Sequence, residues 1–133
     1  MGQSTWDADA IITGSHLHSS GHARFGNAPA TAAAGSTHSN AAQLPNSTAA
    51  VYPVTGSDGT KGFIIHPADA VAGQMIWIGN QVSNQSLIVY PPSGGSINGA
   101  ATNAGFTGSS GKGVIVYCLT ANAAGTSSTW LAW

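Results

Sequence analysis

Charge is what this chain has least of. Lysine and arginine total 3, aspartate 4, and there is no glutamate, so 5% of the 133 residues are charged and the formal net charge is −1. A soluble domain averages nearer ~25% charged. Three scattered cations cannot form the basic stripe that neutralises phosphates, which excludes a nucleic-acid binder. The acids Asp7, Asp9, Asp58 and Asp69 are too few, and mostly too closely flanked by small turn-like residues, for paired-carboxylate hydrolysis. Helical bundles and coiled coils need Glu, Lys and Leu in quantity, and these are missing. The single cysteine, Cys118, excludes an intrachain disulfide. No apolar run approaches the ~18 residues of a membrane span. The first residues carry neither the basic nor the apolar region of a signal peptide. The expectation is a protein made in a cytosol and not exported by the usual route.

What is present is small and neutral. Alanine (22) and glycine (18) dominate, with 41 residues of Ser, Thr, Asn and Gln. Leu, Ile, Val and Phe total 24, below the ~20% typical of disordered chains, but the accompanying high net charge is absent. The large apolar residues are bunched, and 4 Trp and 3 Tyr add buriable surface. This describes a folded domain whose neutral surface does little to keep copies apart. Such a surface suits life in an assembly.

The chain divides into two stretches of unequal character. Residues 1–45 show neither a 3.6 nor a 2.0 period. Their few large apolar side chains cannot offset the ordering entropy of ~45 residues at ~1–2 kcal/mol each. The expectation is an extended N-terminal arm that orders on another protein surface, with Trp6, Ile11, Ile12 and Phe25 as assembly contacts. Residues 46–133 hold β-branched and aromatic runs bounded by Gly, Pro and Asn. These are Phe63-Ile64-Ile65, Met75-Ile76-Trp77-Ile78, Leu87-Ile88-Val89-Tyr90 and Val114 to Leu119. Weaker candidates lie at Ser96-Ile97 and Ala104 to Thr107. A last strand is predicted at Trp130 to Trp133, and an edge strand around Pro53. Asp58-Gly59 and Gly94-Gly95 are turn dipeptides.

Strands spaced at ~8–12 residues predict an all-β domain, a sandwich or a barrel. The fold expected is an antiparallel β-sandwich, jelly-roll-like, carrying the arm. The runs are continuous rather than alternating, so both faces of a strand such as Ile76-Trp77-Ile78 want cover. Oligomerisation supplies it, with Ile76, Trp77, Val114 and Val116 expected at the subunit interface.

No constellation for catalysis emerges. His16 and His18 share a side of an extended segment, with His22 and His38 further on, but Cys and Glu partners are absent nearby and a four-ligand zinc site is not formed. These histidines are expected to hydrogen-bond to a partner, and no metal or cofactor is expected. Gly108 to Gly113 resembles a phosphate-binding loop, yet Lys112 is followed by Gly113 and then by a strand, so a hairpin turn is the better reading. No serine is framed as G-x-S-x-G. Cys118, inside its apolar run, is expected to act as a small buried hydrophobe.

Several segments, taken in order, resemble small structural proteins of tailed bacteriophages. They are Ile64-Ile65-His66-Pro67, then Ala72 to Asn80, then Leu87-Ile88-Val89-Tyr90-Pro91-Pro92-Ser93-Gly94-Gly95-Ser96-Ile97-Asn98-Gly99. Gly111-Lys112 leading into Val114 to Cys118 and a closing Trp130 complete the series. The resemblance spans roughly residues 46–133 and leaves the arm outside it. It implies a virion β-sandwich and no enzyme: a capsid decoration, or cement, protein on the outer surface of the head, made in the host cytoplasm. The partners implied are the major capsid protein, neighbouring cement subunits and its own copies in a homotrimer, with neither nucleic acid nor membrane. A head- or tail-fibre or spike module binding host carbohydrate is the alternative. A small cupin-like enzyme using His16, His18, His22 or His66 ranks far behind, lacking an acid ligand.

Overall fold

The computed structural model describes residues 26–46, 49–124 and 126–133. Within them every regular element but one 3-10 turn is a strand. The apolar runs become β4 (Gly62–Ile64), β5 (Met75–Asn80), β6 (Ile88–Tyr90) and β9 (Val114–Ala121). The weaker candidates become β7 (Ser96–Ile97) and β8 (Phe106–Thr107), and the closing run becomes β10 (Ser128–Ala132). The Pro53 segment is β3 (Val51–Thr55), and two short strands precede it, β1 (Thr31–Ala32) and β2 (Ala42–Gln43).

Two sheets result, ordered β1-β3-β5-β9-β10-β7 and β2-β4-β6-β8. From β1 to β6 the chain places successive strands alternately in one sheet and then the other. Each strand therefore lies beside the one two earlier and runs parallel to it: β1 with β3, β3 with β5, β2 with β4 and β4 with β6. Antiparallel pairing joins β5 with β9, β9 with β10 and β6 with β8, and a parallel pair of β10 with β7 completes the six-stranded sheet. The all-β expectation holds, but the sheets are mixed rather than antiparallel. The reason lies in the connections. Asp58-Gly59 is a turn, with the Asp58 carboxylate accepting from the Thr60 and Lys61 N–H groups at 3.0 and 3.1 Å and Gly59 at φ 85°. It carries the chain from β3 to the opposite sheet instead of folding it back as a hairpin. Gly108 to Gly113 likewise crosses from β8 to β9.

Both sheets feed one core. Tyr52, Val54, Ile76, Ile78, Val114, Val116, Cys118 and Trp130 come from the six-stranded sheet, and Phe63 and Val89 from the other. Leu44, Ile65 and Leu87, at the ends of four-stranded-sheet strands, join them. Burying a side chain of this size contributes ~1.5–3 kcal/mol. The indole N–H of Trp130 donates to Ser128 Oγ at 2.9 Å, so this large ring carries no unmet polar group into the core.

Two expectations about the first half need correction. Residues 26–45 do not stand apart as an arm. They supply β1 and β2, and Ala28, Ala33 and Leu44 are buried in the common core. Two-residue segments containing alanine, a residue depleted in strands, carry little local signal, and pairing with β3 and β4 supplies what local preference lacks. The loop between β1 and β2 is also tied down. Tyr90 OH donates to the Ser36 carbonyl at 2.9 Å, and His38 Nε2 meets the Pro91 carbonyl at 3.0 Å, within its own chain. Nor is β3 an edge strand. Val51 N–H points toward the β1 side, to Gly26 O, so the N–H that Pro53 lacks would point the same way. That position falls between the Asn27–Val51 bridge and the Thr31–Val54 pairing, where no bond is needed.

A chain beginning at Gly26 is expected to keep its β circular dichroism and a cooperative melt. A chain beginning at Asn46 loses Leu44, worth ~2–5 kcal/mol as a buried leucine. It also uncovers β3 and β4, and is expected to lose most of the ~5–15 kcal/mol typical of a domain. Urea unfolding of the two truncations side by side tests this.

Candidate functional site

Successive residues of a strand face opposite sides of the sheet. In β5, Ile76 and Ile78 turn inward while Met75 and Trp77 turn outward, 45% and 42% exposed. β9 continues both faces, with Val114, Val116 and Cys118 buried and Ile115 and Tyr117 half-buried on the outside. Register then assembles the outward residues into rows. Val51 pairs with Trp77, and Trp77 with Ile115. Ile115 exchanges backbone hydrogen bonds of 3.1 and 3.2 Å with Trp133. In the neighbouring row Met75 pairs with Tyr117, and Tyr117 with Leu131. Leu119, at the register shift between β9 and β10, adds a further exposed side chain. None of these residues is charged.

The outer face is not flat. A depression of about 310 Å³ lies along Val51, Trp77, Gly79, Gly113 and Ile115. It exists because Gly79 and Gly113 contribute no side chain beside Trp77 and Ile115. A Cβ at Gly79 would meet nothing nearer than the Tyr52 carbonyl at 4.0 Å, so this half of the floor is open. A Cβ at Gly113 would press on the Ile78 carbonyl at 2.6 Å, so glycine is required there.

This arrangement corrects the expected subunit interface. Ile76, Val114 and Val116 are 0–1% exposed inside the core and cannot touch another chain without unfolding, whereas Trp77 is on the outer face. Trp133, one of the two closing tryptophans able to stack on a sugar or to close a core or an interface, shares that face with Ile115, Tyr117 and Leu131, whereas Trp130 is buried in the core. The continuous apolar run conceals which alternate residues are outward, and only pairing to β5 and β10 settles it. The expected arm contacts Trp6, Ile11, Ile12 and Phe25 lie outside the described residues, as do His16, His18 and His22.

The carboxylates of the described residues, Asp58 and Asp69, lie elsewhere. Tyr52 OH donates to Asp69 Oδ2 at 3.2 Å in the protein interior. Burial raises the Asp69 carboxyl above its ordinary range, partly opposed by the Tyr52 hydrogen bond and His66. Burial, and then the Asp69 charge, push the Tyr52 phenol up to about 12. His66 caps the 3-10 turn Pro67–Asp69, its Nδ1 accepting from Ala68 N–H at 3.1 Å. Asp58 is held well below the usual carboxylate range, chiefly by the Thr60 hydroxyl and N–H and then by Lys61. Cys118 is buried, and burial raises its thiol pKa, so it sits as the small hydrophobe expected. Among the described residues no three His, Cys, Asp or Glu side chains gather around one point. What the described surface offers is apolar contact on one sheet face, rather than a paired nucleophile and base. No family model, curated protein or solved structure matches the chain.

Two outcomes follow from this geometry. Val116→Asp places a charge in the core and is expected to cost several kcal/mol. Leu131→Asp, on the outer face, should leave the urea midpoint nearly unchanged. Asp69→Asn keeps the acceptor for Tyr52 and removes a carboxyl whose folded pKa is raised. That carboxyl contributes stability below its unfolded value of 3.8 and loses it as pH rises through the folded value. The Asn variant should therefore gain on wild type at neutral pH and lose that gain at about pH 3, read as urea midpoints.

Proposed function

We propose that this chain is a structural virion protein, a cement protein that decorates the outer surface of a phage head and stabilises it by cross-linking capsomers. In this reading the two sheets are the layers of a virion β-sandwich, and the chain acts as a homotrimer beside the major capsid protein and other cement subunits. It has no catalytic role.

The observation that carries the reading is the uncharged outer face of the six-stranded sheet, with Met75, Trp77, Leu119, Leu131 and Trp133 all at least 40% exposed. Monomeric proteins rarely leave a contiguous apolar patch without use. Trp and Tyr are favoured where interfaces bind most strongly. The order of motifs shared with small phage proteins supports the virion setting. The mechanism is mechanical. Many weak apolar and hydrogen-bonded contacts, repeated over a closed shell, add by avidity and resist internal pressure.

A fibre or spike module that binds host carbohydrate is the second reading. The exposed rings of Trp77 and Trp133, in one row of one face, favour it, since such rings offer flat apolar platforms with a polar edge.

Copy number and phenotype separate the two. A cement protein should be present on the order of the capsid subunit count, following the shell's symmetry. Particles lacking it should adsorb to cells normally and lose DNA on heating or in a chelator. Adding back Leu131→Asp or Trp133→Ser should restore the particles far less well than wild type. Heat-stable particles that fail to adsorb would instead establish the carbohydrate-binding reading.

A further inference from the structure

The sequence contains one Asn-Gly pair, Asn98-Gly99. It forms the turn that follows β7, with φ 51° at Asn98 and 71° at Gly99 and the Ala100 N–H donating to the Ile97 carbonyl at 2.9 Å. Two positive φ angles closed by that bond make a type I′ turn, for which Asn-Gly is the favoured pair. Both residues are exposed, and a Cβ at Gly99 would meet nothing within 4 Å, so water reaches the turn.

Asn-Gly is also the pair in which a side-chain amide is most readily lost, because glycine puts no side chain beside the reacting atoms. The Gly99 nitrogen attacks Asn98 Cγ. A C–N bond forms there, the bond to Nδ2 breaks, and ammonia leaves with the proton that Gly99 N–H gives up. Water then opens the cyclic imide at either carbonyl, giving aspartate or isoaspartate.

Two features of the fold hold this reaction back. A left-handed φ goes with ψ of ~+30 to +60°, which sets the Gly99 nitrogen nearly opposite Cβ about the Cα–C bond, whereas ring closure needs the two on one side. The amide itself is clamped. Trp133 exchanges its backbone bonds with Ile115 of β9, so the N–H and C=O of Ala132 point the other way, toward β7. Asn98 meets both. Its Oδ1 accepts from Ala132 N–H and its Nδ2 donates to the Ala132 carbonyl, each at 2.9 Å. The side chain thus extends the pairing of β7 with β10 by one step.

We propose that Asn98 is a deamidation site gated by the last strand. While the end of β10 is docked, the turn and the side chain are held out of reacting geometry. When that end opens, the amide is lost and the clamp cannot re-form. A carboxylate has no N–H for the Ala132 carbonyl and sets a negative charge against it. Isoaspartate also lengthens the main chain by one carbon beside Ile97, a core residue. A transient opening is thereby made permanent. The inference goes beyond the cement reading and stands or falls separately from it.

Mass spectrometry of the full chain at neutral pH provides the test. Trypsin cuts after Lys61 and Lys112, so the peptide 62–112 carries the turn, and fragmentation assigns conversion to Asn98. Folded wild type should convert at least about tenfold more slowly than a free peptide of residues 93–103, because reaction is limited to the open fraction. Ala132→Pro removes the N–H that Asn98 Oδ1 accepts and leaves the bonds of Trp133 to β9 in place. It should raise the rate at least about threefold in a chain still folded by circular dichroism. Urea below the unfolding midpoint gives a second reading on wild type, should that variant not fold. Conversion and hydrogen exchange of the Ala132 amide should then rise by the same factor. Asn98→Asp should speed Ala132 exchange in the same way. A wild-type rate equal to the peptide's overturns the inference. So does conversion that ignores a folded Ala132→Pro or the rise in Ala132 exchange, and so does an Asn98→Asp chain whose Ala132 amide exchanges no faster than wild type.

Discussion

A strand can send only every second side chain into a core, and in this protein one core serves both sheets. The inward residues of β3, β5, β9 and β10 meet Phe63, Val89 and Leu87 from the other sheet, and the largest of them are 0–1% exposed. Everything else follows from that division. Because Ile76, Ile78, Val114 and Val116 are taken inward, Met75, Trp77, Ile115 and Tyr117 must turn outward. Because those four are also uncharged and largely apolar, the outer face of the six-stranded sheet is an apolar surface.

The path of the chain makes the division possible. Strands alternate between sheets from β1 to β6, so each new strand extends both the sheet it joins and the core. This way of building gives residues 26–45 a structural task. β1 and β2 begin the two stacks, and Ala28, Ala33 and Leu44 occupy core positions that no later segment fills. Turn chemistry serves the crossings. The Asp58 carboxylate gathers the Thr60 and Lys61 N–H groups, and Lys61 Nζ adds a contact at 3.1 Å. At the far end Asn98, with φ 51°, gives and accepts a hydrogen bond with the backbone of Ala132, each 2.9 Å, and so fixes β7 to the last strand. The polar groups that enter the interior are few and matched. Among the described residues no buried side-chain N or O lacks a partner.

The scarcity of charge gives the outer face its meaning. In an ordinary domain, lysine and glutamate would occupy the outward positions of β5 and β9 and keep copies apart. Here Trp77, Ile115 and Trp133 stand in one row, and the depression between them owes its floor to Gly79 and Gly113. The carboxylates Asp58 and Asp69 lie away from this face. Tyr52 and Asp69 are interior, and Asp58 and Lys61 pair on a turn. The candidate site is therefore a matter of shape and apolar area rather than of acid and base.

The amino-acid sequence by itself determined the class of secondary structure and the character of the surface. β-branched and aromatic runs such as Val114-Ile115-Val116 are strands in almost any context, because the preference arises within the run. Composition alone left too few charges for any other kind of surface. Neighbouring residues could not disclose strand direction, which depends on where a crossing lands, nor the strands at Thr31 and Ala42, which exist through their partners. They also could not disclose which half of a continuous apolar run faces out. Ile76 and Trp77 are adjacent and equally apolar, and only the tertiary structure sends one into the core and the other to the surface. A one-residue change of register would exchange them, and the register is set by bonds to β3 and β9, residues far away in the chain.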